Sequence, residues 1–165
     1  MFPDEKDRQQ IFILNNACFV WQKKHDPRGF LSNEQVERVY SEIQECIMCY
    51  LNEYWAPLLT YLEGDSLRRP CWSSLDKFTG EFDSKCGRQM KWKVRTELKN
   101  ILREKITSLL IRPYEQFLVA LQATPSSTCF AVKRLILDLL FFGKKRGDIY
   151  TVVQLESTLV ALFER

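Results

Sequence analysis

The stretch from Ser32 to Glu63, SNEQVERVYSEIQECIMCYLNEYWAPLLTYLE, decides the architecture. Ser32 with Gln35 three residues on forms a capping box, in which each side chain satisfies the other residue's orphan amide and starts a helix. Apolar residues then recur at Val36, Val39, Tyr40, Ile43, Ile47, Tyr50, Leu51, Tyr54, Leu58 and Leu62, the three-and-four spacing of one helix face. About thirty residues in this pattern make a helix roughly 45 Å long. Pro57 lacks a backbone donor, so a bend is expected near Glu53 or Tyr54. A helix this long predicts a rod-like stack of antiparallel partners.

The flanking segments read the same way. Before it, Pro3 to Lys24 places Ile11, Leu14, Cys18 and Trp21 on one face, with Phe12 and Phe19 expected to broaden it, and Asp26-Pro27-Arg28-Gly29 supplies a turn. After it, residues 64–70 read as a loop. A third helix capped by Ser73 or Ser74 carries Leu75, Phe78, Phe82 and Cys86, with Gly87 near its end. A fourth, Val94 to Leu121, is expected to bury Leu98, Ile101, Leu102, Ile106, Leu109 and Leu110 and to continue past Pro113 to Tyr114, Phe117, Leu118 and Leu121 with a bend.

Thr124-Pro125-Ser126-Ser127-Thr128 is a turn cluster, followed by a strongly apolar helix from Phe130 to Phe142 that Gly143 closes. Thr151 with Gln154 is a second capping box, opening a last helix with Leu155, Leu159, Leu162 and Phe163 buried. The predicted class is all-α, an elongated stack of about six antiparallel helices with essentially no strand, in one domain over residues 1–165.

Composition agrees with a folded helical chain. Of 165 residues 45% are apolar, enough for one ordinary core, and only 6 glycines and 6 prolines interrupt them. Charge is segregated: Glu34, Glu37, Glu42, Glu45, Glu53 and Glu63 face the single base Arg38, whereas Lys85 to Lys105 and Lys133 to Arg146 are predominantly basic. A basic surface of this kind suits an acidic partner or a phosphorylated lipid, and a solvated helix face is the plainer reading. No apolar run reaches the roughly 18 to 20 residues of a membrane span, so no transmembrane segment is expected.

Reactive chemistry is sparsely represented. Cys46 and Cys49 form a C-x-x-C inside a helical pattern without a second pair, and the one histidine, His25, is remote, so no metal site is predicted. His25 beside Asp26 lies in a turn and completes no triad, and the glycines are too scattered for a phosphate loop. Lys91-Trp92-Lys93 interleaves bases with an aromatic in the manner of single-strand nucleic-acid binders. The modest net charge of +3 argues against that partner. A non-enzymatic interaction module without a cofactor is the expectation.

The ordered motifs also resemble a known family. Ile11-Phe12-Ile13-Leu14-Asn15-Asn16 followed by Phe19 looks like the F-x-x-N-N helix of the seventy-kilodalton subunit of the exocyst, the complex that tethers secretory vesicles to the plasma membrane. The tyrosine-tryptophan and leucine step that follows in that family is matched by Tyr50 or Tyr54, then Trp55, Leu58, Leu59 and Leu62. Phe78, Phe82, Gln89, Trp92, Pro113, Tyr114 and Phe117 match the next block in order. Tyr150, Thr151, Leu155, Glu156, Leu162, Phe163 and Glu164 resemble the family's chain end.

That resemblance covers nearly the whole chain and corresponds to the C-terminal portion of longer family members. It therefore implies a truncated paralogue, an excised fragment or a domain carried within another protein. It implies vesicle tethering in exocytosis, contacts with other exocyst subunits, a cytoplasmic location peripheral at the plasma membrane, and phosphoinositide binding through a basic cluster. By position relative to Tyr150 the lipid-binding candidates are Lys144, Lys145 and Arg146, with Lys133 and Arg134 in support. Phe141, Phe142 and Trp92 are the candidate partner-binding aromatics. An alternative is an effector-binding, decoy-like domain of plant immunity, with a pathogen effector as partner; a third is an unrelated helical scaffold.

Overall fold

The computed structural model describes residues 3–23, 32–124 and 149–164. Its helices are α1 (Pro3–Gln22), α2 (Asn33–Tyr50), the short α3 (Gly64–Arg68), α4 (Trp72–Gln89), α5 (Thr96–Ala123) and α6 (Val152–Val160). Among the described residues no β-strand forms. The predicted helix from Phe130 to Phe142 lies outside the described residues.

Both capping boxes form. The Ser32 hydroxyl accepts from the Gln35 amide while the Gln35 side chain accepts from Ser32 N–H, and Thr151 and Gln154 repeat the exchange at the start of α6. The long second helix does break ahead of its proline. After Tyr50 it widens into a π turn, Leu51–Trp55, in which Ala56 N–H reaches back to the Leu51 carbonyl, and then tightens into a 3-10 segment, Ala56–Tyr61, holding Pro57. The wider turn adjusts the helix phase, so Tyr54, Trp55, Leu58 and Leu62 all remain buried. A single long helix is thus replaced by three consecutive helical geometries.

Several sequence expectations shift by a few residues. Residues 64–68 form a helical turn rather than loop, with Gly64 at φ +58 in the left-handed region that glycine adopts without a Cβ clash. Cys71, not Ser73 or Ser74, occupies the N-cap of α4, and that helix runs past Gly87 to Gln89. Pro113 is accommodated inside a continuous α5.

The elements pair antiparallel, as cross-links between their ends show. Gln10 of α1 donates to Glu53 at 2.9 Å while Trp21 lies 5.8 Å from Tyr40, so α1 runs against α2. Tyr54 donates to the Lys85 carbonyl and Tyr61 to Glu81, which sets the extension of α2 against α4. On α5, Arg103 reaches Leu162 while Tyr114 reaches Tyr150, setting α6 against it.

Aromatic rings hold the stack together. Trp92, Tyr54, Trp55, Phe82 and Tyr150 follow one another at centroid distances of 6.1, 5.5, 6.2 and 5.4 Å, with Phe78 joining Phe82 to Tyr114. Such rings bury large areas and add edge-to-face attraction. Inside this chain, the Tyr50 hydroxyl takes the Trp55 indole N–H at 3.1 Å and meets the fully buried Gln89 amide. That hydroxyl partners the amide's Nε2, while its Oε1 is buried without a partner among the described residues.

Candidate protein-interaction surface

A groove forms where α1 meets the connection between α4 and α5. Ile11, Phe12 and Asn15 of α1 make one wall and Lys91, Trp92 and Lys93 the other, with Arg8 at one end, enclosing about 330 Å³. Asn15 sets its width. Its Nδ2 donates to the Lys93 carbonyl at 2.9 Å, and its Oδ1 accepts the Arg95 N–H at 3.0 Å, so one amide clamps the connecting backbone at two points. Arg95 also donates to Gln22, and its guanidinium lies 5.1 Å from the centre of the Phe19 ring, within cation–π range.

Trp92 is half-buried and tilted against Tyr54 at 55°, so it is part of the packed wall and not a free platform for a stacked base. The Lys91-Trp92-Lys93 run therefore departs from the single-strand-binding geometry its composition resembled. Among the described residues no carboxylate pairs with Arg8, Lys91 or Lys93. The groove is thus apolar at its base and positive at its rim.

Phe12 and Phe19 do not broaden the buried face of α1. Ile11, Leu14 and Cys18 are buried against the core, and a helix turns about 100° per residue, which carries Phe12 and Phe19 outward to 65% and 47% exposure. Ile13 and Val20 are exposed beside them. Tyr40, expected on the inner face of α2, is exposed as well. Periodicity alone missed this surface, since α1 carries apolar residues on two faces.

The C-x-x-C pair lies on α2 with Cys46 half-buried and Cys49 exposed, and burial pushes the Cys46 thiol up, away from the thiolate a metal needs. Among the described residues no three His, Cys, Asp or Glu side chains converge on a metal-sized site. Nor is any described helix long and apolar enough to cross a membrane. Of the candidate lipid- and partner-binding residues, Trp92 alone is among those described; Lys133, Arg134, Phe141, Phe142, Lys144, Lys145 and Arg146 lie outside them, as does His25.

The clamp gives Asn15, the first of the two paired asparagines of α1, a structural role, and the aromatic chain does the same for the motifs of α2 and α4. The family model for the C-terminal region of Exo70, an exocyst complex subunit, matches residues 4–133. The chain belongs to this family. Its helical bundle, with no strand among the described residues, is the fold of the Exo70 C-terminal domain. No curated protein matches the chain.

Proposed function

We propose that this Exo70-family chain is a non-catalytic interaction module in exocyst-related vesicle tethering, working through protein contacts on its helical surface and charge-assisted contact with anionic phosphoinositide at the plasma membrane. The observation that carries the reading is the family match over residues 4–133. Membership links the chain to a tethering complex, and the segregation of acidic and basic stretches supplies surfaces of opposite sign for partners.

Lipid contact is assigned to Lys144, Lys145 and Arg146, with Lys133 and Arg134 adding to the local positive charge. Each basic residue near an anionic leaflet contributes about 1 kcal/mol, so the three-residue cluster binds weakly alone and adds to protein contacts. Sedimentation with phosphoinositide-containing vesicles tests this assignment. Reversing the charge of all three should lower the bound fraction at least about tenfold at physiological salt. Equal sedimentation of the wild-type and reversed chains would remove the lipid role. Co-precipitation with the other exocyst subunits tests the tethering role separately.

A further inference from the structure

The outer face of α1 has the pattern of a second helix seam. Phe12, Asn16, Phe19 and Lys23 recur at spacings of four, three and four, the a/d rhythm by which two helices interdigitate, with Ile13 and Val20 flanking them. The inner seam of α1 is already occupied, since Ile11, Leu14 and Cys18 are buried in the core. The outer one faces solvent with four large apolar side chains at least 40% exposed.

Charge specifies what covers it. Arg8, Lys91 and Lys93 stand at the end of the seam nearer Phe12, and Lys23 and Arg95 lie over the Phe19 ring at the other end, where the Glu97 carboxylate stands near Arg95. Two copies pairing α1 to α1 antiparallel would bring these like charges together, which disfavours a homodimer through this face. Asn16 in mid-seam and the Trp92 indole N–H in the groove have no described hydrogen-bond partner, and both require directional groups that hydrocarbon tails lack.

We propose that the outer face of α1 and the adjoining groove dock an acidic amphipathic helix of a partner protein. Phe12 and Phe19 pack into its apolar stripe over about 10 Å, or two turns. Its carboxylates meet Arg8, Lys91 and Lys93, and a polar side chain meets Asn16. This site is separate from the lipid cluster proposed above, so either can fail without the other.

The test titrates two synthetic helical peptides into the full chain labelled with nitrogen-15. Both share a leucine seam; one is flanked by glutamates and the other by lysines. The glutamate peptide should bind in the micromolar range and shift the Trp92 indole resonance, with the lysine peptide at least about tenfold weaker. Phe12→Ser with Phe19→Ser should weaken binding at least about tenfold while the chain stays folded by circular dichroism, because neither ring is part of the buried core. Lys91→Glu with Lys93→Glu should narrow or invert the preference between the peptides.

Three results would overturn the proposal. They are failure of the glutamate peptide to bind, equal binding of the two peptides, and a Trp92 shift produced by phosphoinositide vesicles but not by peptide. Self-association of the chain that Phe12→Ser abolishes would assign the face to a second copy instead.

Discussion

Asn15 concentrates two long-range bonds in one side chain. Replacing it by alanine removes the partners of the Lys93 carbonyl and the Arg95 N–H together, for an expected loss of about 1–3 kcal/mol measured by urea unfolding. Hydrogen exchange of residues 91–95 should quicken in the same variant. Proton chemistry gives a second expectation. Burial pushes the Cys86 thiol up to about 12 from its ordinary 9.0, and burial likewise raises the Tyr114 and Tyr150 hydroxyls, Tyr150 being further held protonated by Asp83. Above pH 9 the unfolded thiol releases its proton while the folded one retains it, so the contribution is fully present below that pH and lost as pH rises towards 12. Unfolding free energy should therefore decline through this window by at most about 1.4 kcal/mol per pH unit for each such group. Cys86→Ala should flatten part of that slope in chemical unfolding at stepped pH.

Among the elements, the two capping boxes differ in setting. Thr151 is fully buried and Ser32 exposed, so Thr151→Ala should cost about 1–2 kcal/mol and Ser32→Ala nearer 0.5–1 in thermal unfolding. These boxes were legible in the sequence because capping is local: a hydroxyl and an amide three residues apart suffice. The disruption around Pro57 was legible for a similar reason, since a missing donor acts within one turn. Its form was not. Whether the chain tightens, widens or kinks depends on keeping Trp55, Leu58 and Leu62 against α4 and α5, which no local pattern encodes. The outward placement of Phe12 and Phe19 escaped for the same cause, because a helix with two apolar stripes leaves its neighbours to decide which is buried. Asn15 offered a motif but no partner, its bonds spanning 78 and 80 positions.

Across the whole molecule, the chain's last turns are held by one cation. Arg103 of α5 donates to the Leu162 carbonyl at 2.7 Å and pairs with Glu164 at 3.0 Å. Arg103→Ala should cost about 1.5–3 kcal/mol, because a charged donor leaves a main-chain acceptor behind. Glu164→Gln should cost under about 1 kcal/mol, because that carboxylate is largely solvated. Calorimetry on the two variants separates the contributions. The adjacent Phe163 sits at φ 64 and is fully buried, so its ring packing offsets a left-handed backbone that a side chain ordinarily avoids. Fold and lineage could be read from aromatic and cap spacing, whereas the groove could not, since it arises from elements brought together by the stack.

The two hydrogen bonds of Asn15 go to main-chain atoms of residues 93 and 95, and every amino acid except proline at 95 presents those same atoms. The spacing of the groove's two walls therefore rests on the backbone, while the side chains along its rim can change without loosening the clamp. Relatives that keep the asparagine but exchange the lysines should hold the same cleft with different polarity. Recruitment of new partners could then proceed by surface substitution alone, with the scaffold paying no stability for the change.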